Sequence, residues 1–244
     1  MIYFVQLFNE REIEIKEFLN LMLFLELKND QKIPNEDITP FQKFFYSEDD
    51  KVTISYQSMI NIMKSNVALM LYNIIEFTIS GLMDNVYETI KNQGLSYIDV
   101  NKDIQRLWRK AILNATKDPN ANHKTVLKKN EEIIDCILQR KTLDLQTRNF
   151  IRAGNLDGVE IKRTFEAHGI LFKPSSDNYR PEKLSFVKIK RNELAHGSIS
   201  FTEAMRDNAI TDICKDKDII FSFLEELIDT VELYHDNAGY KSAN

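Results

Sequence analysis

The chain has 244 residues, 43% of them apolar, which is enough to enclose a substantial core, and its formal net charge of −5 argues against indiscriminate binding of polyanions. Its two cysteines, Cys136 and Cys214, stand far apart with no CxxC spacing, so neither a disulfide framework nor a cysteine zinc site is expected, no metal or cofactor is called for, and a reducing cytoplasm fits. With only 7 Gly and 5 Pro, no internal repeat and no low-complexity tract, the composition predicts an all-α protein folded as a single domain over residues 1–244.

Met1 to Phe8 is apolar but short and lacks a basic lead-in, which fits neither a signal peptide nor a membrane anchor. Nowhere does an uninterrupted apolar run reach the roughly 18 residues of a membrane span. Residues 9–28 interleave acids with Ile13, Phe18, Leu21 and Leu25 and predict an amphipathic helix, followed by a loop marked by Pro34 and Pro40. Val52-Thr53-Ile54-Ser55-Tyr56 is β-prone but brief, at most one short extended segment. From about Met59 to Asn92 a long helical pattern offers Met63, Val67, Met70, Leu71, Ile74, Ile75, Ile79 and Leu82 to the core.

Residues 101–118 predict a helix with Ile104, Leu107, Trp108 and Ile112 inward and Arg106, Arg109 and Lys110 outward. Trp108 suits the core better than a base-stacking role. Lys124, Lys128 and Lys129 precede a helix expected from about Asn130 to Lys141, and phosphate contact and plain solvation serve that basic segment equally well. Residues 101–191 carry 20 Lys or Arg against 11 Asp or Glu, while the rest of the chain is strongly acidic. A basic middle would attract a phosphate backbone, unless basic and acidic helices cancel each other within the fold.

A helix opening with Pro181 in its first turn leads into Arg191-Asn192-Glu193-Leu194-Ala195-His196 and stops at Gly197. At about 100° per residue, Asn192 and His196 share a face, whereas Arg191 lies about 140° from His196, on the apolar seam of Leu184, Val187, Leu194 and Ala195. An Arg on such a seam needs a partner, and Glu76 in the long second helix is the acid nominated, although Glu76 also suits a polar stripe with Asn66, Asn73 and Ser80. One copy of the helix does not aim all three groups at one point, which favours a site completed by a second subunit.

The chemistry these residue types allow is cleavage of RNA. RNA carries its own nucleophile, the 2′-hydroxyl, so an enzyme must remove that proton, stabilise charge on phosphorus and protonate the leaving 5′-oxygen. An imidazole can move the protons, a guanidinium fork matches phosphate oxygens, and an amide can orient either. The spacing alone is weak, because Arg163 and His168, again followed by a Gly, repeat it. That second stretch reads as a short amphipathic helix packing Ile161, Phe165 and His168 inward, with Gly169 as a left-handed cap. Past Gly197, Ser200-Phe201-Thr202-Glu203 has capping-box spacing for a short helix, and Thr211 with Asp212 is expected to cap a last helix running to about His235.

The run from Lys188 to Phe201, followed by an acid-rich apolar helix, resembles the HEPN superfamily of helical ribonucleases, and within it the MAE-type HEPN-like nucleases of bacteria. Leu71-Tyr72-Asn73-Ile74-Ile75-Glu76, Ala153-Gly154-Asn155-Leu156-Asp157 and Arg206-Asp207 are similar to that branch as well, so the resemblance covers most of residues 60–235 and is less distinct over the first 50. It implies an HEPN-like helical bundle with extra helices that forms a homodimer and pairs two Arg-x4-His motifs to cut RNA without metal. It further implies a toxin or antiviral effector held by a cognate inhibitor or sensor protein. On this resemblance Arg191 stabilises phosphate charge, His196 does acid–base work, and Asn192 fills the polar position after the Arg. A non-catalytic helical module binding RNA, a nucleotide or a partner protein is the alternative.

Overall fold

The computed structural model describes residues 1–30, 55–114, 123–152 and 154–242. Among them are seven α-helices and no strand: α1 Ile2–Asp30, α2 Tyr56–Asn92, α3 Lys102–Asn114, α4 His123–Leu138, α5 Gly158–Ala167, α6 Pro181–Ala195 and α7 Ile210–Asp236, with a 3₁₀ turn at Thr147–Asn149. The chain divides into two compact units, one of residues 2–75 and 182–222 and the other of residues 76–181 and 223–244 with Met1. Helices α2 and α7 each contribute to both.

In the unit of residues 2–75 and 182–222, α1 buries Phe4, Phe8, Ile15, Leu19, Met22 and Leu25, a stripe at helical spacing. The helix starts at Ile2, earlier than the sequence pattern suggests: Ile2 and Tyr3 are exposed, and Phe4 and Phe8 are the first of its residues to pack inward. Glu12 is almost fully buried, and Lys16 one turn on pairs with it at 2.9 Å while lying 5.4 Å from the Phe221 ring centroid. The first half of α2 buries Val67, Ala68, Leu71, Tyr72, Ile74 and Ile75, whereas Met63 and Met70 are half-buried. Ser55 caps α2 by accepting the Ser58 N–H at 3.1 Å. Helix therefore begins at Tyr56 inside the stretch expected to be β-prone, and Val52 to Ile54 lie outside the described residues.

Two further expectations give way in this unit. Residues 201–207 form turns rather than a short helix, because the Ser200 hydroxyl donates to the Glu203 carboxylate at 2.8 Å instead of accepting the Glu203 N–H as a capping box requires. The last helix opens one residue before Thr211: the Ala209 carbonyl accepts the Asp212 and Ile213 N–H groups, so the cap position falls on a side chain that cannot bond.

In the other unit, the second half of α2 buries Ile79, Leu82, Met83, Val86, Tyr87 and Ile90. Helix α2 has the length and composition of a membrane span, yet more than half of its most apolar window is buried within the protein. Asn101 caps α3 through the Ile104 N–H at 2.8 Å and ties it to the chain end by donating to the Gly239 carbonyl and the Tyr234 hydroxyl. Trp108 is buried, as expected of a core tryptophan. Helix α4 starts at His123, so Lys124, Lys128 and Lys129 lie on it rather than before it, and none of its residues is buried. Asp157 caps α5 through the Glu160 N–H at 3.0 Å.

Candidate active site

Helix α6 opens on Pro181 and Glu182, a residue that needs no amide partner and an acid suited to the positive helix end. Leu184, Val187 and Leu194 bury one face, while Ala195, expected on that seam, is exposed because the helix ends there. The end is a Schellman motif: Gly197 at φ 68° donates to the Leu194 carbonyl at 3.2 Å, and Ser198 donates to the Glu193 carbonyl at 3.0 Å. His196 is the last residue before the left-handed turn, and its backbone N–H closes the final helical bond to the Asn192 carbonyl at 3.0 Å. Its side chain is exposed, and among the described residues the ring makes no hydrogen bond.

Arg191 and Asn192 are half-buried. The guanidinium donates from Nη1 to the Asn192 Oδ1 at 3.0 Å and lies 5.0 Å from the centroid of the fully buried Tyr72 ring. The seam position thus meets its need for a partner with an aromatic face and an amide in its own unit. Tyr72 is the residue that helical spacing did not single out; its place in a family-like stretch was the one signal pointing to it. Glu76 belongs to the other unit, where its carboxylate accepts the Gly154 N–H at 2.7 Å. That bond joins two of the family-like stretches. Near the motif, Lys190 pairs with Glu193 at 3.0 Å, and Arg206 pairs with its neighbour Asp207 at 3.2 Å. A cleft of about 490 Å³ in the same unit is lined by Phe186, Lys190, Ile199, Glu203, Arg206 and Asp207.

The second Arg-x4-His stretch has the same backbone ending and the opposite surroundings. Gly169 at φ 71° and Ile170 close a Schellman motif on the Glu166 and Phe165 carbonyls, and His168 occupies the position equivalent to His196. His168 is 1% exposed; Nδ1 bonds the Thr164 carbonyl at 2.6 Å, and the Tyr87 hydroxyl meets Nε2 at 2.5 Å. Because the Thr164 backbone carbonyl can only accept, Nδ1 carries the proton and Nε2 accepts from Tyr87. Burial lowers the His168 pKa to about 4, against a smaller opposing effect of the Thr164 carbonyl. With both nitrogens engaged it serves the core, as the inward-packing reading expects.

Chemically, the end of α6 offers an accessible imidazole one turn from an amide and a guanidinium able to hold an anion. Among the described residues no three His, Cys, Asp or Glu side chains gather as a metal-binding group. An all-helical fold carrying an Arg-x4-His helix end is the pattern of an HEPN domain. More closely, the family model described as MAE_28990-like HEPN matches residues 5–240, and the chain belongs to that family. The match takes in amino-terminal residues whose motif resemblance was less distinct. Membership makes this a nuclease-type or RNA-related module. No curated protein and no solved structure matches the chain.

Proposed function

We propose that the protein is a metal-independent endoribonuclease of HEPN type, active as a homodimer in which two α6 ends form a composite Arg-x4-His site, and that it serves as a cytoplasmic toxin or antiviral effector. The observation that carries this reading is the exposed His196 ring, free of hydrogen bonds among the described residues and one turn from the half-buried Arg191–Asn192 pair. His196 exchanges protons with the 2′-hydroxyl or the leaving 5′-oxygen, Arg191 stabilises the charge that develops on phosphorus, and Asn192 holds the guanidinium in place. The products then carry 2′,3′-cyclic phosphate and 5′-hydroxyl ends.

Expression of the wild type and of His196→Ala, with RNA cleavage assayed in EDTA and ends mapped, tests the proposal. The variant is expected to lose cleavage while keeping its unfolding midpoint, since the side chain is exposed. Equal cleavage by both proteins refutes it. A second reading draws on the seat of Arg191 over Tyr72, which suits a structural cation in a non-catalytic binding module. That reading expects no turnover by the wild type and an unchanged biological effect in His196→Ala.

A further inference from the structure

A cavity of about 620 Å³ lies in the unit of residues 76–181 and 223–244, lined by α3, the 3₁₀ turn and its continuation, and α5. Its size falls within the range of roughly 300–1,000 Å³ typical of small-molecule sites. Three cations line it: Lys110 from α3, Arg152 after the 3₁₀ turn, and Arg163 from α5. Lys110 and Arg152 have no ion-pair partner among the described residues, and Arg163 is held by Glu160 at 2.8 Å. Glu160, which also lines the cavity, offsets Arg163, so Lys110 and Arg152 leave a net positive hollow that suits a bound anion.

The rest of the lining narrows the choice of anion. Phe150 and Leu107 supply apolar surface, and the Phe150 ring is fixed by Tyr87 at 5.7 Å and by an edge-on contact with His168 at 6.1 Å. A π-face held this way accepts a flat heterocycle. Asn149 and Asn155 bring amide groups that can both donate and accept. His168 forms part of the wall, and its engaged nitrogens leave it no role in bond-making.

We propose that this cavity binds a nucleotide, with Lys110, Arg152 and Arg163 on its phosphate and Phe150 against its base. Neither Arg191 nor His196 lines this cavity, so the proposal goes beyond the nuclease reading and does not depend on it. It also gives the second Arg-x4-His stretch a use: the Arg meets phosphate and the His shapes the wall. The same chemistry is presented by a free nucleotide and by one nucleotide of an RNA strand.

Binding measured in the His196→Ala chain, where turnover cannot intrude, decides the matter. Fluorescence anisotropy would follow a labelled single-stranded RNA and, in a separate arm, a labelled adenosine triphosphate. Lys110→Ala with Arg152→Ala is expected to weaken binding at least tenfold in one of the arms. The control Lys124→Ala with Lys128→Ala, which removes equal charge from the exposed surface of α4, should change it less than twofold. For RNA, the salt slope should fall by about 1.4 when two phosphate contacts are lost. Glu160→Gln, which frees Arg163, is expected to tighten binding. Saturation in the triphosphate arm identifies a free nucleotide as the occupant, and saturation with RNA alone identifies a strand. Equal weakening by the site pair and the control pair, or no binding in either arm, overturns the proposal. Absence of RNA cleavage by the wild type, with this binding intact, counts against the nuclease reading alone.

Discussion

His168 should make the unit that holds it sensitive to mild acid. An unfolded histidine titrates near its ordinary 6.5, whereas burial lowers the folded value to about 4. Between those values the unfolded chain binds a proton that the native state refuses, so stability rises with pH across the window and is lost as pH falls through it. At about pH 5 the linkage relation gives a loss of about 2 kcal/mol relative to about pH 7.5, and the full depression corresponds to a limit of about 3 kcal/mol. His235, half-buried and also lowered chiefly by desolvation, acts in the same direction, so a variant is needed to isolate the effect. His168→Gln removes the titration, and the difference in pH slope between it and the wild type is the quantity to compare. The chain's one tryptophan, Trp108, is buried in the same unit and reports its unfolding by urea through fluorescence. The wild type should lose about 2 kcal/mol more than His168→Gln between about pH 7.5 and about pH 5, a shift of several degrees in the melting temperature. Identical pH slopes would show that His168 is already charged in the native protein and that the derived hydrogen-bond directions are wrong.

Removing Arg191 by Arg191→Ala should lower kcat/KM on a labelled RNA by at least about 10²-fold if the guanidinium stabilises developing charge. Arg191→Lys should stay well below wild type because it keeps the charge but loses the planar fork, and near-normal rates in both would remove Arg191 from the site. The two cap glycines should respond unequally to alanine. At Gly197 an added Cβ meets nothing within 4 Å, so Gly197→Ala should cost only the left-handed backbone penalty of about 1 kcal/mol. At Gly169 it would stand 2.9 Å from the Asp103 Oδ2, so Gly169→Ala should cost more, and urea midpoints that rank the two the other way would contradict the geometry.

The helices were legible where apolar periodicity and a stop coincide, as in α6 between Pro181 and Gly197 and in α5 before Gly169. Boundaries failed where side-chain chemistry was ambiguous. Ser200 and Glu203 satisfy capping-box spacing but bond each other through their side chains, and Ala209 caps α7 with a carbonyl that no residue-type rule detects. Spacing could not rank the two Arg-x4-His stretches, since both end in the same left-handed turn. What separates them is tertiary: Tyr87, Thr164 and Phe150 enclose His168, while His196 is left exposed. The seat of Arg191 over Tyr72 was likewise hidden, because burial of a cation against a ring depends on two helices remote in sequence.

At the end of α6, the backbone groups nearest His196 are spoken for: the Asn192, Glu193 and Leu194 carbonyls each receive an N–H from the closing turn. An imidazole with no local acceptor to hold it keeps its rotational freedom through folding. The entropy of fixing those two torsions falls due when another molecule arrives, and whatever supplies the contact also sets the ring's aim.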